Sequence, residues 1–297
     1  MEMLRDKTIR SWALYDWANS AFATTIMAAV FPPFYRSLVL NAGFSGVQAT
    51  AFWGYTAAGA LLIVDVIGPI LGAFADQTGS RKRLIACFAG LGILGTAGLA
   101  FLGTDAFWLG SLLFTVGNIG FACGNIFYES LLPHIADEKQ IDRVSTLGYA
   151  LGYVGGGILL LLNVFWILSP EWFGLPNADS AIRLSLFSVA VWWTFFSIPF
   201  FRNVTEPVVP NRQMARVGLR ESIHRLIQTV RSVRRYRELG IFLIAFWIYN
   251  DGIGTIIKMA TAYGDEIGIG MNDMITALVI MQFVGIPCAF GFGRLAE

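Results

Sequence analysis

Charge is scarce in this sequence. Asp, Glu, Lys and Arg make up 14% of its 297 residues, where a soluble domain carries about 25%. Hydrophobic residues reach 56% and the mean hydropathy is +0.61, which excludes an ordinary water-soluble globule. Cysteine is rare as well. Cys87, Cys123 and Cys288 all lie in apolar runs, where they read as small buried hydrophobes, and neither a disulfide framework nor a metal centre is expected. His134 and His224 stand in polar connecting segments and read as solvated side chains. The sequence has no G-x-x-x-x-G-K-[ST], no H-E-x-x-H and no G-x-S-x-G, so phosphate cradle, zinc pair and nucleophile elbow are all missing. These absences point away from an enzyme, an ATP-driven machine and any cofactor. The polar start MEMLRDKTIR, followed by an apolar run too long for a signal-peptide core, reads as an uncleaved N-terminus.

What is present is a series of long apolar runs. A membrane-spanning helix needs roughly 20 such residues. Eight stretches qualify, at about 12–35, 51–74, 84–103, 107–130, 145–168, 183–201, 239–259 and 273–292. The expected fold is therefore an all-α, multi-pass bundle in the lipid bilayer. Lys and Arg avoid translocated loops, and they set the orientation. With the N-terminus in the cytosol, segments 1–11, 75–83, 131–144 and 202–238 hold 17 of the 21 basic residues, and the outer segments 37–50, 104–106, 169–182 and 260–272 hold none. Arg36, Arg183 and Lys258 fall near outer helix ends, where snorkelling accommodates them. A cell membrane, plasma or inner, is the expected location.

Segment 202–238 is the longest connection, with nine Arg against Glu206, Glu221 and Glu238. Ile223, Leu226, Ile227, Val230 and Val233 keep helical spacing beside these arginines. That pattern fits an amphipathic helix on anionic lipid headgroups; a solvated linker is the alternative, and nucleic acid is not an expected partner. The chain divides into a six-helix bundle (1–201), this basic linker (202–238) and the start of a second bundle (239–297).

Two short internal matches support two related halves. Gly72, Phe74, Ala75 and Asp76 align with Gly293, Leu295, Ala296 and Glu297 at an offset of 221, and LYDWANS aligns with IYNDGIG, placing Tyr15 opposite Tyr249. The stretch from Gly72 and Asp76 through Gly79 to Arg81, Lys82 and Arg83 resembles the signature loop of the major facilitator superfamily. The segments YDWANSAFATT, NIFYESLLPHIA, LGYALGYVGGG and FWIYNDGIGTI resemble the vacuole-effluxer-like, autophagy-related permeases within it. The resemblance implies a twelve-helix secondary transporter whose eukaryotic relatives are associated with amino-acid efflux, and a signature loop that latches the cytosolic side. On this reading about four helices would follow Glu297; a complete eight-helix protein is the alternative.

Polar residues inside apolar helices mark candidate sites, because an ionised group in the bilayer core must face the bundle interior or water. Asp16 and Asn19 share a helical face near Tyr15, Trp12 and Trp17, and Tyr249, Asn250 and Asp251 occupy the equivalent place in the seventh span. Lys258 lies seven residues beyond Asp251, about 10.5 Å along the helix. Both clusters are expected on one cavity between the halves, with Asp251 desolvated; for Asp16 a position reaching the headgroups stays open. Asn118, Asn125 and Glu129 share a face of the fourth span and line a path or glue helices together. Asp65, ahead of Pro69, is a pairing partner or a gate residue. Gly148, Gly152 and Gly156 repeat every four residues, which permits close helix packing. Their run resembles the glycine-rich fifth-helix motif of antiporters, with Tyr153 in place of its usual proline.

The expected function is secondary transport of a small polar solute by a monomer. A sugar permease is the rival within the fold, and a membrane sensor or lipid scramblase the rival outside it.

Overall fold

The computed structural model describes residues 5–138, 140–206, 227–228 and 236–295; of these, the side chains of 76–78, 271–272, 275, 289–290 and 292–295 are left aside. The described residues are helical, with no strand among them. The helices are α1 (Lys7–Ala21), continuing as a π-helical segment (Phe22–Ala29), α2 (Phe31–Asn41), α3 (Gly46–Thr78), α4 (Arg81–Leu99), α5 (Phe107–Glu129), the short α6 (Leu132–Ile135), α7 (Ile141–Leu168), α8 (Ala178–Asn203), α9 (Arg237–Glu266) and α10 (Met271–Leu295). Six of them are long and apolar enough to cross a membrane, and the bent pair Lys7–Ala29 and Phe31–Asn41 makes a seventh span. In α10, the eighth expected span, the apolar stretch is shorter, Thr276–Cys288.

The helix starts carry their own signals. Asp6 accepts from the N–H groups of Thr8 and Ile9 at the head of α1, and Ser45 with Gln48 forms a capping box on α3. The first span breaks where the sequence has Pro32 and Pro33. These residues lack an N–H, so the carbonyl of Ala28 loses the donors at positions i+4 and i+5, and the axis turns by 45°. The loosened turn ahead of them is the π-helical stretch, with Val30 N–H reaching Thr25 O.

Without a hydrophobic driving force between helices in lipid, close backbone approach holds the bundle together. A Cβ on Gly120 of α5 would lie 2.3 Å from the backbone nitrogen of Gly92 on α4, and one on Gly95 would lie 2.8 Å from Gly117 N. On α7, Gly148 faces the Trp12 ring, Gly152 faces Ser20 and Asp16, Gly155 faces Trp17, and Gly156 faces Thr24, so the stripe lies along α1 and its π-helical continuation. Thr24 Oγ1 donates to the Gly156 carbonyl at 3.2 Å. The centre is aromatic: Phe31 stacks on Phe114 at 5.7 Å, and Trp53 tilts against Phe114 at 4.7 Å. Outward-facing Leu94, Phe101 and Trp108 are exposed, as side chains meeting lipid would be.

The basic cluster after Gly79 is not a loop. Gly79 ends α3 with φ +58°, a left-handed conformation that glycine adopts without penalty, and its N–H bonds to Ala75 O. Arg81, Lys82 and Arg83 then form the first turn of α4, where the helix dipole disfavours positive charge. The end of α8 offsets this. Lys82 Nζ donates to Val204 O at 2.6 Å, and Glu206 accepts from the Lys82 N–H. Asp76 sits in the last turn of α3, and its side chain lies outside what is described, as do Ala296, Glu297 and most of the 202–238 linker.

At the opposite end of the bundle Arg36 and Arg183 are held by ion pairs. Arg183 is paired with Asp179 at 2.6 Å and donates to Leu102 O at 2.6 Å. Arg36 is paired with Asp265 at 2.7 Å.

Candidate functional site

The stripe Trp12, Asp16, Asn19 on α1 faces α5 and α7. Trp12 stacks on Tyr128 with ring centres 4.4 Å apart and planes 10° apart, and its indole N–H reaches Tyr128 O at 3.3 Å. Asp16 accepts from Ser20 Oγ at 3.2 Å. Asn19, fully buried, donates to the side-chain oxygen of Asn125. At the end of α5, Glu129 accepts from Tyr149 Oη of α7 at 3.3 Å.

Together these residues enclose a cavity of about 140 Å³, lined by Trp12, Asp16, Asn125, Tyr128, Glu129, Leu132, Ser145 and Tyr149. It lies at the end of the bundle that carries the N-terminus, and exposed Glu129 and Tyr149 stand at its mouth. The lining has two carboxylates and no Lys or Arg. A site of this composition favours cations.

Asp16, Asn125 and Glu129 therefore meet in one place, with Asn19 held behind Asn125. Tyr15 does not join them. It is fully buried against Phe200 and Tyr128, at 4.9 and 5.0 Å between ring centres, because one residue's step along α1 rotates it towards α8. Asn118 is buried about two turns deeper on α5, outside the cavity lining.

The cluster on α9 is elsewhere. Tyr249, Asn250 and Asp251 are exposed, so the expected desolvation of Asp251 is not found, and the two clusters do not share a cavity. The physical reason is the docking of α9. Its C-terminal half packs on α2, α3 and the π-helical segment, leaving its N-terminal half away from α1. Lys258 is buried, and the charges of Asp251 and of Asp65 on α3 both act on its ammonium. Tyr128, Ser145 and Tyr149 were not singled out in the sequence, although NIFYES and LGYALGY contain two of them; aromatic residues in apolar helices carry no mark that separates lining from core.

Long apolar helices, a glycine-packed bundle and a polar cavity at one end make this a multi-pass helical membrane protein, and the MFS-type relative gives it the major facilitator fold. Comparison with known proteins agrees: residues 5–297 match the family described as "Vacuole effluxer Atg22 like", and the chain belongs to it. It is 39% identical over 292 residues, 98% of its own length and 68% of the other's, to the "Uncharacterized MFS-type transporter YxiO" of Bacillus subtilis. It is also 29% identical over 185 residues to "Autophagy-related protein 22" of Botryotinia fuckeliana and 27% identical over 175 residues to "Autophagy-related protein 22-2" of Aspergillus clavatus. Those matches span 56% and 55% of this chain, and only 26% and 28% of the fungal proteins. No solved structure matches the chain.

Proposed function

We propose that this chain carries out secondary active transport of a small polar solute across a cell membrane by alternating access, coupled to an ion or proton gradient. The observation that carries this reading is an asymmetry between the bundle ends. At one end α9 is tied to the first helices through Arg36–Asp265, Thr261–Ala28 and Trp53–Lys258 contacts, while the acidic cavity opens at the other. Helices tied together at one end, with an acidic cavity at the other, fit one state of an alternating-access cycle.

With the N-terminus in the cytosol, as the basic residues favour, the open end faces inwards. On the same reading the arginines of 202–238 lie on anionic headgroups, 1–201 and 239–297 belong to separate bundles, and the protein works as a monomer. Amino acids are the first solute class to test, because the eukaryotic permeases that this sequence resembles are associated with amino-acid efflux. The test is uptake into proteoliposomes under imposed proton and sodium gradients. Gradient-dependent accumulation of a solute supports the proposal; lipid scrambling without solute accumulation refutes it.

A further inference from the structure

At the bundle end opposite the N-terminus, three amphipathic aromatic side chains stand clear of the other described residues: Trp172 is 85% exposed, Trp108 67% and Tyr263 59%. We propose that these rings form a belt seated in the headgroup layer of the lipid bilayer, with the Pro170–Phe173 turn as its wedge.

The turn is built to hold Trp172 outwards. Its backbone is closed by bonds from Trp172 N–H to Ser169 O, Gly174 N–H to Glu171 O and Leu175 N–H to Pro170 O, at 3.0–3.2 Å. Gly174 completes the reversal at φ +70°, which glycine adopts without penalty. Phe173 folds back edge-on to Trp166 of α7, with ring centres 6.4 Å apart, so Trp172 is the ring that leaves the bundle. An aromatic residue in a turn need not do this. Phe44, in the turn before α3, packs on Phe52 and Phe107 at 5.3 Å from each.

Depth in the bilayer follows from helix length. Between Arg143 and Glu171 the chain has no charged residue, and the stretch of α7 from Val144 to Leu168 is about 37 Å long at 1.5 Å per residue. The hydrocarbon core is about 30 Å thick, so the turn that follows Leu168 falls among the headgroups. Trp108 in the first turn of α5 and Tyr263 in the last turn of α9 stand at the same end. Indole and phenol suit that layer, because each joins an apolar body to a polar N–H or O–H. The three helices have different neighbours: α5 packs on α3 and α4, α7 on α1, α8 and α10, and α9 on α2 and α3. The rings therefore surround the bundle end, where a protein partner would cover one side and a bilayer covers all. Residues 169–182 include Glu171 and Asp179 and no Lys or Arg, so attraction to anionic lipid does not hold the turn. The belt needs only a bilayer, and it stands whether or not the chain transports.

The test attaches a nitrobenzoxadiazole fluorophore to Trp172→Cys, Trp108→Cys or Glu138→Cys, each in a Cys87→Ser, Cys288→Ser background of the purified full chain in nanodiscs. Glu138, exposed in the polar turn before α7, is the aqueous reference. At Trp172 and Trp108 the emission should be blue-shifted, and a headgroup-attached nitroxide lipid should quench it about 2-fold more strongly than at Glu138. A nitroxide at the acyl-chain end should quench these two sites less than the headgroup nitroxide does. Phosphatidylcholine and phosphatidylglycerol discs should give the same result. Two label sites keep the test decisive should one variant lose its helical circular dichroism. Emission and quenching equal to those at Glu138 would overturn the belt, as would a blue shift without lipid quenching, which marks cover by protein. Strongest quenching from the chain end, or quenching confined to the anionic discs, would overturn it as well.

Discussion

The hydroxyl of Thr261 on α9 donates to the main-chain oxygen of Ala28, 233 residues earlier, at 2.7 Å. That oxygen needs a partner because Pro32 and Pro33 have no N–H to give it. A break in the first span thus becomes a docking point for the seventh. Both groups are buried, and a hydrogen bond between helices in lipid contributes about 0.6 kcal/mol on average, up to about 1.7. Thr261→Val should lower the melting temperature modestly and increase exposure of this end of the bundle. Alkylation of a cysteine introduced at Ala262, which is buried against the same helices, should quicken in the Thr261→Val background. An unchanged rate would show that the bond does not hold the end shut.

Arg36 and Asp265 tie the same two elements nearer the surface, with side chains 20% and 38% exposed. Partial exposure limits such a pair to about 1 kcal/mol or less, so its removal should shift the balance between open states and leave the fold intact. Asp265→Asn should slow gradient-driven uptake several-fold with normal expression. The charge-swapped double variant Arg36→Asp, Asp265→Arg should recover part of the rate, and an Asp265→Asn protein transporting at the parent rate would remove the pair from the cycle.

Gly120 offers a contrast between packing and sequence spacing. A methyl group there would meet the backbone of Gly92 and Phe88 at 2.3–2.5 Å, and backbone cannot rotate away. Gly120→Ala should push α4 and α5 apart and cost about 1–3 kcal/mol, visible as a lower melting temperature in detergent. Gly54→Ala on α3, where nothing lies within 4 Å, should leave it the same or slightly higher. Equal melting temperatures for both variants would refute the close approach.

Asp251 is exposed, and its charge acts on the buried Lys258 beside that of Asp65. Asp251→Asn preserves size and removes only the charge. It should insert and express normally, abolish gradient-driven uptake and spare counterflow exchange if the carboxylate serves the coupling ion. Wild-type uptake in this variant would move the search to Asp16, Asp65 and Glu129.

Orientation has a direct chemical test. In a background with Cys87→Ser and Cys288→Ser, the remaining Cys123 is buried. Glu171→Cys, in the short turn after α7, should then react with a membrane-impermeant maleimide applied to intact cells, and Glu138→Cys, before α7, should react only after permeabilisation. The reverse pattern would invert the topology and place the acidic cavity on the outside.

The spans were legible in the sequence because hydropathy is a local, summed property: a run of apolar residues must cross the bilayer whatever surrounds it, and each expected span overlaps an observed helix. Gly148, Gly152 and Gly156 were legible for a related reason, since a four-residue spacing fixes one face of one helix. Meeting across helices was not legible. Asn19 finds Asn125 at a separation of 106 residues, and Glu129 finds Tyr149 across the turn between α5 and α7. Periodicity says which residues share a face, but the rotation of each helix about its axis is set by what packs against it. Asp16 and Tyr15 are chain neighbours, yet one lines a cavity and the other fills the core. Asp251 shows the same limit in reverse: its depth in an apolar run implied burial, and the docking of α9 by its other half left it exposed. The sequence by itself determined which segments form long apolar helices and where its glycine faces lie. Tertiary packing decided which polar groups share a cavity, because that depends on helix rotation and tilt, which no single segment specifies.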